Sequence, residues 1–323
     1  MNPAFSVVLL TTLIGVGQGL FLALFSSQAY TSVNVLPTQP GDYYALGALI
    51  ALLFLVGGLL ASFFHLGHPE RAWRAAAKWR TSWLSREVIA LPAVMGLITL
   101  YALVNWLGLD NDLYGLGLSG QVALTVGAAG VATTLALFLC TAMIYAAIKF
   151  LQEWASPLTV VNYFLLGTAS GFTFATAYAA LRAPDLVSFY GGWAIALTLA
   201  ALLTRVAALF RNARIKRVST LQTAIGVRHT HVQQRSMGMM GGAYNTREYF
   251  HGRTVAFLKS VKWFFLVLVF PVPVFLLWAG LVGEDSTLLI LAFVAQYLGL
   301  LFERWFFFAQ ANHPQNLYYQ VVG

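Results

Sequence analysis

Apolar residues do not alternate with polar ones along this chain. They run together in eight blocks of about 20 residues or more, the length that a hydrocarbon layer of about 30 Å demands of a helix. The blocks cover roughly 5–28, 44–66, 86–107, 120–148, 157–181, 188–210, 256–280 and 286–309. Short polar connectors join most of them, whereas the connectors at 67–85 and 211–255 are longer and basic. The pattern predicts an all-α integral membrane protein: a bundle of eight transmembrane helices making a single membrane-anchor domain over 1–323. Within it, 211–255 is a long basic loop before the seventh span. The first block starts at Phe5 without a positive leader and is long enough to span, so it reads as a helix rather than as a cleaved signal.

Composition sharpens this. Of 323 residues, 59% are hydrophobic and 9% charged, against about 25% charged in an average soluble domain. The net charge of +8 would suggest nucleic acid in a soluble chain, but in a membrane protein it reports which loops stay in the cytoplasm. With the 67–85 connector inside, 18 of the 19 Lys and Arg residues fall on the inner side and Arg182 alone lies outside. The outer connectors carry Asp42, Asp110, Asp112, Asp185, Glu284 and Asp285. Both termini and the 211–255 loop are therefore expected to be cytoplasmic. One cysteine, Cys140, excludes an internal disulfide, a zinc knuckle or a four-cysteine iron–sulfur site, and no metal-ligand set stands out.

Inside the spans, Gly15, Gly17 and Gly19 around Gln18 read as a close helix-packing surface, since no strand precedes them to make a dinucleotide loop. Pro271 and Pro273 are expected to kink the seventh span, and Cys140 to be packing. Gln18, Gln28, Asn105, Asn162, Gln296, Glu303 and Arg304 are expected to bond between helices or to pair near an interface. Glu303 and Arg304, as sequence neighbours, should each need a partner elsewhere or snorkel to the inner surface.

The informative stretch is HLGHPERAWRAAAKWRTSWLSRE, His65 to Glu87. His65 ends the second block and Glu87 opens the third, so a helical hairpin brings imidazole and carboxylate to one membrane face. Pro69 suits the first turn of a short helix. On it, Arg71, Arg74 and Lys78 share a side at i, i+3 and i+7, with Trp73 and Trp79 available to the lipid interface. In the plain alternative, Glu87 complements a helix dipole, His65 is an interfacial side chain, and the basic residues hold topology. In the functional reading, a histidine, a buried carboxylate and an arginine at headgroup level form a redox-linked proton site.

The eight-span plan, Gly17-Gln18-Gly19, the run His65-Leu66-Gly67-x-Pro69-x-Arg71-Ala72 and the following Ser82-x-x-Ser85-x-Glu87 resemble the DMSO reductase anchor subunit family. The likeness covers the whole chain in plan, with its motifs concentrated at 65–87. It implies an oxidoreductase subunit that handles ubiquinone or menaquinone in a bacterial inner (cytoplasmic) membrane. By this resemblance, His65 and Glu87 match catalytic positions of a quinone-binding site to which Arg71 and Ser85 also belong. Partner subunits on the cytoplasmic face, one holding iron–sulfur clusters and one holding molybdopterin, would carry the remaining cofactors.

Within the inner loop, Ser219-Thr220-Leu221-Gln222-x-Ala224-Ile225-Gly226 and Gly241-Gly242-x-Tyr244-Asn245-Thr246-Arg247-Glu248 resemble the branch of that family serving membrane-bound sulfite dehydrogenases. That implies electrons flowing from sulfite to quinone; the loop, from its glycine and methionine content, is expected to dock the iron–sulfur partner. Asn245-x-x-Glu248 also reads as a capping box, so some order is expected there. The reverse flow, quinol oxidation feeding an S- or N-oxide reductase, uses the same residues. Haem is a competing electron route, and only His65 and His313 lie at span ends to hold one. A self-contained transporter predicts midplane ion pairs and symmetric halves, neither of which the pattern shows.

Overall fold

The computed structural model describes residues 1–109, 121–216, 219–232, 251–314 and 316. Among these residues the regular structure is helical: α1 (Phe5–Ser32), α2 (Gly41–Phe63), α3 (Trp83–Trp106), α4 (Gln121–Ala146), α5 (Pro157–Arg182), α6 (Val187–Ala213), α7 (Leu221–Ile225), α8 (Val255–Val269), α9 (Pro271–Gly283) and α10 (Ser286–Ala309). Eight segments are long and apolar enough to cross a membrane, with α8 and α9 together making the seventh. The protein is a multi-pass membrane protein, as the hydrophobic blocks predict.

α1 and α5 form the centre of the bundle, about two-thirds buried, while most other spans are about one-third buried and turn their remaining surface outward. Glycine makes this central pair possible. A Cβ on Gly19 would lie 2.2 Å from the Gly167 carbonyl oxygen, and one on Gly171 only 2.0 Å from the Gly19 carbonyl carbon. Gly17 faces the other way, toward the Ala51 backbone of α2, where a Cβ would meet an oxygen at 2.7 Å. The glycines of the first span therefore serve close helix packing, which in lipid replaces the missing hydrophobic drive.

The seventh span is interrupted at Phe270 (φ −114°, ψ −77°), between α8 and α9. Pro271 and Pro273 lack the N–H groups that would bond the carbonyls four residues back, so the helix restarts with Pro271 in its first turn.

The N-terminus and the end of α10 lie at one end of the bundle, where the Met1 ammonium donates to the Ala311 carbonyl at 2.7 Å. An up-and-down chain of eight spans brings the 64–82 connector, the end of α6 and the start of α8 to that same end. At the opposite end Arg182, the one basic residue there among those described, pairs with Asp42 at 3.5 Å.

Three details of the 64–87 region differ from the sequence reading. α2 stops at Phe63, and His65 lies beyond it in a tight turn in which Phe64, His65 and Leu66 each donate three residues back. α3 begins at Trp83, capped by the Ser82 hydroxyl, which accepts from the Ser85 N–H at 3.3 Å. Glu87 is consequently the fifth residue of α3 and lies past its first turn. The connector Pro69–Lys78 is a 3-10 helix rather than an α-helix. With three residues per turn, Arg71 and Arg74 keep a common side while Lys78 rotates a third of a turn away. Trp73 and Trp79 share a stripe and are 71% and 53% exposed.

Candidate functional site at the terminus-bearing end

Glu87 is the centre of the candidate site. It projects from α3 toward α4, 9% exposed, and its Oε1 accepts from the Thr141 hydroxyl at 2.5 Å. Among the described residues no Lys, Arg or His forms an ion pair with it. The adjacent Arg86 is used otherwise: its Nε donates to the Trp79 carbonyl at 2.9 Å, its Nη2 to the Arg80 carbonyl at 2.8 Å, and its guanidinium stacks over Trp83 at 4.1 Å. Arg86 thus ties the connector to α3 and forms no ion pair with Glu87. A carboxyl group within a membrane span, held by one hydroxyl and no cation, is costly to place and therefore points to function.

The other three expected residues distribute unevenly. Ser85 is 3% exposed on the same turn as Glu87. His65 and Arg71 are exposed, and Arg71 pairs with Glu70 at 3.6 Å across an open surface. No hydrogen bond or ion pair joins His65 or Arg71 to Glu87 or Ser85. The hairpin brings all four to one end of the bundle without closing them into a bonded cluster. Partial burial of the ring holds His65 below the usual imidazole range, so its neutral form prevails at pH 7.

Behind Glu87, sequence reasoning singled out Glu303 and Arg304 only as residues in need of partners, and missed Arg205 and Tyr163. Arg205 of α6 and Glu303 of α10 are 2% and 1% exposed and pair at 2.8 Å. Arg304 completes the group, its Nε 3.3 Å from the second oxygen of Glu303 and its guanidinium 3.9 Å over the Tyr163 ring of α5. The expectation of partners elsewhere holds, in Arg205 for Glu303 and the Tyr163 ring for Arg304, but the two neighbours also meet each other and neither snorkels to the surface. Tyr145 of α4 stacks on Tyr163 with ring centroids 5.8 Å apart, and both tyrosines are within electrostatic reach of Glu87. A polar interior therefore extends from α3 through α4 and α5 to α6 and α10.

The remaining polar residues of the spans bond between helices, as expected. Gln18 donates to the Thr134 carbonyl at 3.2 Å, Gln28 to Asn105 at 2.8 Å, and Gln296 to Thr198 at 3.0 Å, while Asn162 accepts from Thr204 at 2.8 Å. Cys140 is buried and unpaired. All six histidines fall outside the eight spans; His313, beyond α10, packs edge-on against Phe150.

The start of the 211–255 loop is ordered. In α7, Thr220 and Thr223 cap each other reciprocally and Gly226 ends the helix at φ +73°. Asn245-x-x-Glu248 lies outside the described residues, as do Gly241, Gly242, Tyr244, Thr246 and Arg247. The cap of α8 is Thr254, which accepts from the Phe257 N–H at 3.2 Å.

Comparison with known proteins agrees with the motifs. The chain is 56% identical over 325 residues to the C subunit of the sulfite dehydrogenase of Allochromatium vinosum, the match covering all of both chains. Residues 1–310 match the model of the DMSO reductase anchor subunit family. With eight spans, the 65–87 motif and this full-length correspondence together, the chain belongs to the DMSO reductase anchor subunit family.

Proposed function

We propose that this chain is the membrane anchor and quinone-reactive subunit of a molybdopterin iron–sulfur oxidoreductase, and that the complex oxidises sulfite and reduces quinone. The carrying observation is Glu87, a buried carboxyl group in a span with a single hydroxyl partner and no counter-ion among the described residues. It can take or give a proton without an ion pair having to break. A quinone that receives two electrons needs two protons, and such a group beside Ser85 and below His65 supplies an acid at headgroup depth. Arg71 and His65, on the exposed rim of the same end, orient the headgroup or relay the proton.

The direction rests on the relative in Allochromatium vinosum, which belongs to a sulfite dehydrogenase and favours sulfite over an S- or N-oxide as the partner's substrate. The residues of this chain do not fit the other redox groups. One buried cysteine cannot ligate a cluster, and no histidine within a span can hold a haem between helices. Clusters and molybdopterin belong to the partner subunits. Their docking face is the terminus-bearing end, with the exposed Trp73 and Trp79, the basic connector and the 211–255 loop. The bias of 18 of 19 basic residues to that side supports placing it in the cytoplasm, in keeping with a bacterial inner membrane.

The test is electron transfer in the intact complex. Glu87→Gln keeps the shape and the Thr141 neighbour but cannot exchange a proton. It should assemble normally, retain sulfite oxidation with a soluble acceptor, and lose quinone reduction. Undiminished quinone reduction would refute the reading.

A further inference from the structure

The polar interior behind Glu87 opens toward the terminus-bearing end. Two narrow clefts, each with room for about one water molecule, lie on either side of Tyr163 and Arg304, which line both. The inner cleft reaches Thr141, the hydroxyl that donates to Glu87, and is walled further by Gln18 and Ser170. The outer one contains Arg205 and Glu303 and runs out to Glu153 and Asn212, partly exposed at the terminus-bearing end.

Several atoms along this path are buried without a well-formed hydrogen bond: the Tyr163 hydroxyl, Arg205 Nη2 and Glu303 Oε2. Glu303 Oε2 has only the 3.3 Å ion contact to Arg304, and the Tyr163 hydroxyl is within reach of Arg304 and Tyr145. Buried donors and acceptors of this kind, in a polar space of water size, are what ordered water satisfies.

We propose that these clefts form a water-filled proton route from the surface at Glu153 and Asn212, past Glu303 and Tyr163, to Thr141 and Glu87. The inference rests on the quinone reading and deepens it by assigning the source of the protons. They come from the end that docks the partners, so quinone reduction moves no charge across the membrane. The balance closes: sulfite and water give sulfate, two electrons and two protons in the partner, and quinone takes two electrons and two protons to become quinol. Glu303 faces Arg205 on α6, Arg304 on its own helix and Tyr163 on α5, with Glu153 at the mouth. It acts on the proton supply and does not touch the quinone.

The experiment uses the whole complex carrying Tyr163→Phe, Glu303→Gln or Glu87→Gln, assayed with sulfite against a short-chain quinone analogue and against a soluble acceptor. Tyr163→Phe keeps the ring beneath Arg304 and removes only the hydroxyl, so it should assemble with an unchanged soluble-acceptor rate. Its quinone rate should fall about tenfold or more at pH 8 and less at pH 6, where protons are plentiful. Glu303→Gln should behave alike, and if it fails to assemble, Tyr163→Phe decides. In vesicles with the terminus-bearing end outward, the lumen should not become alkaline during turnover.

A Tyr163→Phe complex with the normal quinone rate at every pH, or an alkaline lumen, overturns the route. If Glu87→Gln stops quinone reduction while the other two variants run normally, the route alone fails. If all three variants run normally, the quinone reading fails with it.

Discussion

Substituting Gly171 by Ala probes the centre of the bundle with one added carbon. Its Cβ would stand 2.0 Å from the Gly19 carbonyl carbon and 2.1 Å from the Leu20 nitrogen. Both obstacles are backbone, so no side chain can swing away. Restoring a 3.4 Å contact requires α1 and α5 to separate locally by about 1.4 Å, the difference between those two distances. Each of these helices also packs on α4 and α10, so the shift is felt across the core. Overpacking of this kind costs about 1–3 kcal/mol. The control is Gly96→Ala on α3, where an added Cβ meets nothing within 4 Å and helix propensity favours Ala by roughly 0.5–1 kcal/mol. Thermal unfolding of the purified complex in detergent, followed by tryptophan fluorescence, should show Gly171→Ala losing stability and Gly96→Ala losing none. Equal midpoints for the two variants would refute the assignment of α1–α5 as the close-packed pair.

Three further outcomes follow from the site. Removing Glu303 alone from the buried Arg205–Glu303–Arg304 group leaves two uncompensated cations and should cost about 3–5 kcal/mol; the double variant Arg205→Met with Glu303→Leu should be more stable than Glu303→Leu alone in the same unfolding assay. Thr141→Val deletes the hydrogen bond to Glu87, worth about 0.5–1.5 kcal/mol; quinone-reduction kinetics should slow with sulfite oxidation by a soluble acceptor unchanged. His65 is held below 6.5 by burial, so the stability linked to it is complete above pH 6.5 and declines as the pH falls through the lower folded-state value. His65→Gln should flatten that acid-side decline in a pH series of unfolding midpoints.

How legible the protein was in its sequence depended on the range of the interaction. The spans were readable because the bilayer sets their length, and the glycine surface of α1 because small residues at close spacing have one use in lipid. The Ser82-x-x-Ser85 spacing contained the cap of α3, yet the apolar pattern placed the helix start three residues late. That error put Glu87 in the first turn, where a dipole role was an adequate explanation; in the structure it lies deeper and that explanation weakens. Arg205 and Glu303 lie 98 positions apart, and nothing local couples them. Arg205 read as another basic residue near an inner loop, because only the packing of α5, α6 and α10 reveals that it is enclosed. Thr141 carried no signal either: a threonine late in an apolar span usually bonds its own helix, and its partner on α3 is set by tertiary contact. The α-helical spacing of Arg71, Arg74 and Lys78 failed because Pro69 starts a 3-10 helix.

The most direct test of the central claim is photolabelling of the intact, sulfite-reduced complex with an azido-quinone, followed by mass mapping of the adducts. The account predicts attachment within 62–90 or on α4 near Thr141, abolished by excess unlabelled quinone and weakened in Glu87→Gln. Specific attachment confined to the opposite end, around Gln28 and Asn105, would contradict it.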